Sequence, residues 1–311
     1  MRTFHEHSAG KAAEPIERET ARLASLIDAH TPHDGAFGGR IPGLYLNRYS
    51  QIDVADSFHT IYSPAVGIAA QGKKIVKVGQ EIYEYGGARI FVTPVALPVT
   101  MQTVQAGPSD PFLGVGLLLD PQKTAESVLK VYPQGLPTVR NRRAGYVTDA
   151  DPDTINAVAR LVRCLSDPGD AKWLAPLVAE EILIRLLRSP IGVYLAETGF
   201  ADSGVQRVAK AIDWLRSHFS QPFKVAELAE MVHMSETTFR EHFKSVTAMS
   251  PLQYQKALRL QEARRLMLSG QTDATRACRL VGYVSDSQFS RDYSRFFGNP
   301  PSRDIARWRQ P

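Results

Sequence analysis

The chain is poor in the residues that build metal centres and disulfide frameworks. Its 311 residues include two cysteines, Cys164 and Cys278, each alone in a helix-like context, so neither a CxxC metal knuckle nor a disulfide framework can form. The strand-like region from residue 44 to residue 119 contains one histidine, His59. A metal site built on a β-sheet needs several histidines, usually with a carboxylate, that converge from neighbouring strands. The sequence therefore predicts no metal and no cofactor.

Motifs of common enzyme and membrane classes are also missing. No GxxxxGK phosphate loop occurs, and no serine or cysteine nucleophile has a recognisable base partner. The N-terminal stretch MRTFHEHSAGKAAEPIERE has no apolar core of the kind that a signal peptide needs. No later segment reaches the roughly 18 apolar residues of a membrane helix. We therefore expect a cytoplasmic protein that is not an enzyme and has no membrane partner.

Positive charge is concentrated in the last third of the chain. Residues 201–311 contain 17 lysines and arginines against 11 aspartates and glutamates, whereas residues 1–200 contain 20 against 21. Such an asymmetry favours a polyanionic partner for the C-terminal part, although a modest basic excess also serves solubility. The length leaves room for two domains, since single cores stop growing at about 250–300 residues.

The first two hundred residues change from helical to strand-like patterning and back. Residues 14–30 carry apolar side chains on one helical face and end in the breaker run TPHDGAFGG. From Leu44 to Leu119, short apolar runs such as AVGIAA and KIVKVG are separated by glycine and proline turns, which predicts an antiparallel sandwich or small barrel. Helical periodicity returns in three segments, PQKTAESVLKVY, TINAVARLVRCL and AKWLAPLVAEEILIRLLR.

The last of these helical segments is apolar on most of its circumference, which predicts burial inside the domain or against a second copy of the chain. The stretch from Ser189 to Gly204 then mixes glycines, small residues and a proline, and we place the domain boundary there. The sequence thus predicts a two-domain α+β protein. Its N-terminal domain, a sandwich or barrel with flanking helices, covers residues 1–195, and its all-helical C-terminal domain covers residues 200–311.

The C-terminal region repeats one pattern at an interval of fifty residues. FREHFKSVTAMSP begins at Phe239, and FSRDYSRFFGNPP begins at Phe289. In each copy a short helix precedes a turn with a serine at the cap of a second helix, whose aromatic pair at i and i+4 points to the core. This describes a helix-turn-helix. We predict two such units, at about residues 224–246 and 273–297, joined by a long helix that begins near Pro251.

The outer faces of the second helices are candidate DNA-contact surfaces. They carry Thr237, Arg240, Glu241 and Lys244 in the first unit, and Asp286, Ser287, Gln288, Ser290, Arg291 and Arg295 in the second. Either unit alone could equally belong to an ordinary helical bundle. The repeat and the positive charge favour DNA, because a bundle requires no such repeat.

The C-terminal residues resemble the AraC/XylS family of transcription regulators over about 100 residues, through LAEMVHMSETTFREHFK, SPLQYQKALRLQEARRLML and RACRLVGYVSDSQFSRDYSRFFGNPP. The segments IPGLYLNRYS, AVGIAAQGKKIVKVGQEIYEYGGARIFVTPVALPVT and DPFLGVGLLLD look like the cupin-like sensor domain of one subgroup of that family. The resemblance implies a homodimeric activator that binds operator DNA, responds to a small-molecule effector in its N-terminal domain and acts on RNA polymerase.

The resemblance also implies which side chains read bases. The family's base-facing positions correspond here to Thr237, Arg240, Glu241, Asp286, Ser287, Ser290 and Arg291. Glu241 departs from the common pattern, because many members have arginine there, and a carboxylate repels phosphate. We expect base-edge contacts from Arg240, Arg291 and Gln288. We expect phosphate contacts from Lys244, Arg295 and the Arg264–Arg265 pair.

An effector site is expected in the interior or at the mouth of the barrel. The candidate lining residues are His59, Tyr62, Tyr83, Tyr85 and Met101. A basic edge at Lys73, Lys74 and Lys77 suits either an anionic ligand or protection of a sheet edge. Two alternatives stay open. One is a cupin-type small-molecule enzyme with an appended helical domain, against which the missing histidine cluster argues. The other is a DNA-binding regulator controlled by a protein partner.

Overall fold

The computed structural model describes residues 6–52, 58–139, 141–200 and 202–309, with the side chains of residues 15–52, 59–139, 141–200 and 202–307. Helix α1 (Glu6–His30) opens the chain and contains the predicted first helix. Within the described residues, no helix is both long enough and apolar enough to cross a membrane.

The strands form two antiparallel sheets that stack as a sandwich. The described strands are β1 (Gly35–Gly38), β2 (Leu44–Tyr49), β3 (Phe58–Tyr62), β4 (Ala65–Gln71), β5 (Lys73–Val78), β6 (Glu81–Gly86), β7 (Arg89–Thr93), β8 (Leu97–Gln105), β9 (Phe112–Leu118) and β10 (Tyr146–Asp149). One sheet has the order β1-β2-β9-β4-β7-β10 and the other β3-β8-β5-β6. The predicted sandwich is confirmed, and the sheets do not close into a barrel. Sequence patterning missed β1 and β10, since four residues at a sheet edge give too short an alternation.

Helices cover the outer side of the six-stranded sheet. Helices α2 (Pro121–Val131) and α3 (Pro152–Arg163) start at the aspartate caps Asp120 and Asp151, each followed by proline. The single long helix predicted next is wrong. It is two helices, α4 (Pro168–Trp173) and α5 (Ala175–Leu187), because Pro176 has no N–H to donate and fits only in the first turn of a helix.

The largest apolar cluster unites the six-stranded sheet with these helices. It contains Leu23 and Ile27 of α1, Ile68 of β4 and Ile155 of α3. The predicted boundary segment holds a further helix, α6 (Gly192–Gly199), whose Leu195 belongs to the same cluster.

The remainder of the described chain is helical, as predicted. The helices are α7 (Gly204–Ser217), α8 (Val225–Met231), α9 (Glu236–Thr247), α10 (Pro251–Leu268), α11 (Ala274–Leu280), α12 (Asp286–Phe297) and α13 (Pro301–Arg309). Phe239 and Phe243 of α9 share an apolar cluster with Phe91 and Leu97 of the strands. Phe289 and Tyr293 of α12 lie in a separate, smaller cluster with α10 and α11.

Candidate nucleic-acid interface and ligand cavity

Helices α8–α9 and α11–α12 form two helix-turn-helix units with matching second helices. The Ser235 hydroxyl accepts a hydrogen bond from the Thr238 N–H, and the Ser285 hydroxyl accepts one from the Gln288 N–H. The rings of Phe239 and Phe243 are 5.5 Å apart, and both are fully buried. At the corresponding positions of α12, the rings of Phe289 and Tyr293 are 5.6 Å apart. The serine caps and aromatic pairs therefore fix both helices in the same way.

The turns of the two units have different lengths. Residues 232–235 join α8 to α9, whereas residues 281–285 join α11 to α12. Gly282 in the longer turn has a φ of 85°, and a Cβ there would lie 1.9 Å from the Ser220 carbonyl oxygen, so only glycine fits. The second helices of the units, α9 and α12, therefore start fifty residues apart in the sequence. The first helices, α8 and α11, start one residue closer to each other.

The predicted DNA-contact residues lie on the outer faces of α9 and α12. Nine of the ten are exposed and Ser290 is half-buried. The Arg240 guanidinium donates to the Glu236 carboxylate at 2.6 and 2.9 Å. Arg291, by contrast, forms no ion pair with any residue that the structure describes. Arg240 must therefore leave its ion pair with Glu236 before it can contact DNA, whereas Arg291 has no such ion pair to break among the described residues.

Helix α10 ties the two units together through two polar side chains. Gln255 donates to the carbonyls of Phe219 and Gln221 at 3.0 and 2.6 Å. Arg259 donates to the Phe219 carbonyl at 2.6 Å and, with another nitrogen, to the Gly282 carbonyl at 3.1 Å. Because residues 219–221 belong to the loop before α8 and Gly282 to the second turn, these hydrogen bonds fix the units relative to each other.

Arg264 does not belong to this interface, and its expected phosphate contact is wrong. Its guanidinium is buried and donates twice to Asp304, both times at 2.8 Å. Tyr293 donates to the same carboxylate at 2.7 Å. Leu260, Arg264 and Met267 lie at i, i+4 and i+7 on α10, and all three are buried. Arg265 is exposed and pairs with Glu262 at 2.7 Å.

A cavity of about 620 Å³ lies between the two sheets and is here called the sandwich cavity. Tyr62, Tyr85 and Met101 of the predicted ligand residues line it, together with Lys74. Burial raises the pKa of Tyr62 to about 12 and the pKa of Tyr85 well above its usual range. Both phenols therefore keep their protons at neutral pH and can donate hydrogen bonds to a ligand.

Lys74 is the least expected residue in this cavity. It is 7% exposed, and its Nζ lies 4.2 Å from the centre of the Tyr49 ring and 4.4 Å from that of Phe112. Both distances are in the range of cation–π contacts. Strand alternation in KKIVKV places Lys74 on the same face as the buried Val76 and Val78, and this was the available sequence signal.

The structure places Tyr83 and His59 outside the sandwich cavity. The Tyr83 hydroxyl donates to Glu81 and accepts from the Gly145 N–H. His59 packs against the rings of Phe296 and Phe297, with centroids 5.4 and 4.8 Å away. Burial and the nearby Arg264 guanidinium lower the pKa of His59 to about 4, so it is neutral at physiological pH.

Among the residues that the structure describes, no group of three or more histidine, cysteine, aspartate or glutamate side chains is arranged to hold a metal ion. Cys164 and Cys278 are both free and buried. Burial raises the pKa of both thiols, which makes them poor nucleophiles at neutral pH.

Two family models match the chain. Residues 40–194 match the AraC-type transcriptional regulator N-terminus, and residues 228–307 match a helix-turn-helix domain. The probable transcriptional regulator LumQ of Photobacterium leiognathi is 28% identical over 106 residues, 33% of this chain and 43% of that protein. The transcriptional activator RhaS of Yersinia pestis is 27% identical over 150 residues, 47% of this chain and 52% of that protein. The chain thus spans about half the length of these relatives or less.

Solved structures of Vibrio cholerae ToxT share the fold. Apo ToxT aligns with a TM-score of 0.55 at 11% identity, covering 85% of this chain and 97% of that one. ToxT with a bound unsaturated fatty acid aligns with a TM-score of 0.53 at 12% identity, covering 85% and 93%. At such identities the likeness establishes the fold alone. The two family models together span both halves, and the chain belongs to the AraC family of transcriptional regulators.

Proposed function

We propose that this protein is a sequence-specific regulator that binds double-stranded DNA, acts as a transcription activator and answers to a small-molecule effector. The observation that carries the proposal is the pair of exposed polar faces on α9 and α12, held at a fixed separation by α10. Recognition helices on two such units can enter the major groove about one helical turn apart. The RhaS relative carries the name of a transcriptional activator.

In this proposal the two faces divide the contacts between bases and phosphates. Arg240, Gln288 and Arg291 reach base edges, with support from Thr237, Asp286, Ser287 and Ser290. Lys244 and Arg295 contact phosphates. The Glu241 carboxylate accepts a hydrogen bond from a cytosine amino group, or it disfavours guanine at that position because the major-groove edge of guanine carries acceptors.

The sandwich cavity is the proposed effector site. Its walls combine aromatic rings and apolar side chains with one buried lysine, Lys74, and the phenols of Tyr62 and Tyr85. This chemistry fits an apolar molecule with one acidic group, the class to which the unsaturated fatty acid in the ToxT structure belongs. An effector changes DNA binding only if it binds the two states of the protein unequally.

The proposed assembly is a homodimer formed through the N-terminal half, with RNA polymerase as the further partner. Trp173 of α4, Leu174 at the junction and Leu177 of α5 are between 48 and 68% exposed. Clustered apolar side chains of this kind mark interaction surfaces. Sedimentation analysis should find a dimer that dissociates more readily in Leu177→Glu than in the control Leu252→Glu, which changes an exposed leucine of α10.

DNA binding is tested by fluorescence anisotropy with a duplex that covers the promoter next to the gene of this protein. Binding should saturate, and its logarithm should fall linearly with the logarithm of salt concentration, as phosphate contacts require. The double variant Arg240→Ala, Arg291→Ala should lose sequence preference and keep salt-sensitive non-specific binding. Absence of saturable binding at any tested promoter would refute the proposal. If the protein binds DNA as expected but no metabolite raises its melting temperature, control by a protein partner becomes the better explanation.

A further inference from the structure

A second cavity, here called the joint cavity, lies where the two halves of the chain meet. Its volume is about 440 Å³. Strand β3 supplies one wall through residues 59–61, and the opposite wall comes from the end of α7 and from α10. Thr60 and Ile61 also line the sandwich cavity. Strand β3 is therefore a shared wall between two separate cavities.

The joint cavity contains a buried polar side chain with one unused group. Gln261 is 9% exposed, and its Nε2 donates to the Thr60 carbonyl at 3.2 Å. Its Oε1 is buried and accepts no hydrogen bond from any residue that the structure describes. A buried acceptor without a donor is costly. A ligand in the joint cavity beside Gln261 could donate to this oxygen through an N–H or O–H group.

Among the described residues that line the joint cavity, one cation is available to an incoming ligand. Arg264 and Arg265 donate to the carboxylates of Asp304 and Glu262 at 2.7–2.8 Å. Arg216 reaches Asp213 only at 4.0 Å, and 43% of its side chain is exposed. A contact at this distance is a weak ion pair in water, so Arg216 can turn to an anion. Ile61, Phe219, Leu258 and Leu268 supply the apolar part of the walls.

We propose that the joint cavity binds a small organic anion with an apolar body and an N–H or O–H donor. The donor meets Gln261 Oε1, the anionic group meets Arg216, and the body lies against Ile61, Phe219 and Leu258. Such a ligand contacts the sandwich through β3 and both helix-turn-helix units through α10. Its binding favours the state in which the joint is closed. The site is separate from the proposed effector site, and its test needs no DNA.

Anilinonaphthalene sulfonate is a suitable probe, because it joins a sulfonate and an amine N–H to an aromatic body. Leu268, 36% exposed at the joint cavity, is changed to cysteine in the full chain. Cys164 and Cys278 are buried, so maleimide should react at position 268. The control is Leu280→Cys, which lies on α11, is 51% exposed and does not line the cavity. The probe should slow labelling at position 268 by roughly tenfold and leave labelling at position 280 unchanged.

Two further variants locate the probe. Gln261→Leu removes the acceptor, and protection should then require roughly ten times more probe. Gly116→Leu puts a side chain into the sandwich cavity, where a Cβ at Gly116 has only ordinary contacts at 3.8 Å and beyond, and protection should persist. Equal protection of both cysteines, no protection at either, an unchanged probe requirement in Gln261→Leu, or loss of protection in Gly116→Leu would each overturn the proposal. Failure of DNA binding would leave this result unaffected.

Discussion

The two helix-turn-helix units have the same framework but different chemistry at corresponding positions. In the first unit the ring of Phe243 meets the ring of Tyr254 edge-on, with centroids 5.6 Å apart. Fifty residues later the same two positions hold Tyr293 and Asp304, which are joined by a hydrogen bond of 2.7 Å. Arg264 completes a buried triad there. One unit is thus held by an aromatic contact and the other by a hydrogen-bonded ion pair.

The units also differ in what surrounds them. The first shares its apolar cluster with strands of the sandwich, and the Tyr254 hydroxyl donates to the Ala96 carbonyl at 2.8 Å. The second has an apolar cluster of its own and touches the sandwich through Phe296, Phe297 and His59. A change in the sandwich should therefore reach the first unit through its core and the second through its surface.

The largest expected effect comes from breaking the triad in the second unit. Asp304→Ala leaves the Arg264 guanidinium buried without its carboxylate, which should destabilise the unit by about 3–5 kcal/mol. Urea unfolding followed by circular dichroism would measure the loss. The triple variant Arg264→Met, Asp304→Leu, Tyr293→Phe removes both charges and the hydroxyl that donates to Asp304, and it should recover most of the stability. If Asp304→Ala unfolds at the wild-type urea concentration, the triad does not hold the unit.

A smaller effect is expected from protonating His59 at the contact with the second unit. Its pKa is about 4 in the folded protein against an ordinary 6.5, so the unfolded state binds the proton first as pH falls. The stability that the neutral His59 contributes is fully present above pH 6.5 and is lost between about pH 6.5 and 4, by about 3 kcal/mol. Arg264 opposes the proton and Asp304 favours it. The melting temperature of His59→Gln should not show this fall between pH 6.5 and 4. Identical pH profiles for the variant and the wild-type protein would contradict the prediction.

The two central arginines should differ in their effect on DNA recognition. Arg291→Ala should cost about 1–3 kcal/mol and relax preference at one base pair. Arg240→Ala should cost less, because Arg240 must first leave Glu236. Glu236→Gln is the matched test, since it should release Arg240 and strengthen binding. Anisotropy on one selected duplex compares all three variants. A larger loss for Arg240→Ala than for Arg291→Ala would reverse the proposed order.

The smallest expected effect is at the contact between the first unit and the sandwich. Tyr254→Phe keeps the buried ring and removes the hydrogen bond to Ala96, so it should destabilise the protein by about 1 kcal/mol. Burial raises the pKa of Tyr254 above its usual range, and the hydroxyl keeps its proton at working pH. Thermal unfolding measures the change. An effect as large as that of Asp304→Ala would mean that the two units are held more alike than the structure indicates.

Local patterns in the sequence predicted much of this molecule. The serine caps, the aromatic pairs at i and i+4 and the repeat identified both units, and alternation between turns identified the sandwich. The exposed faces of α9 and α12 follow from helical periodicity alone. Contacts between distant segments could not be predicted in this way. The pairing of Arg264 with Asp304 and the position of His59 against Phe296 depend on tertiary packing, whereas the burial of Lys74 follows from the strand alternation in KKIVKV.

We propose that one chain carries two unequal DNA-reading units. The most direct test is selection of binding sequences from a random duplex pool by the full chain and by Arg291→Ala. We predict that each protomer selects a composite site with two different half-sites about 10–10.5 base pairs apart, in which Arg291→Ala loses preference in one half-site and leaves the other unchanged. A single half-site, two identical half-sites or a change in both halves would contradict the account.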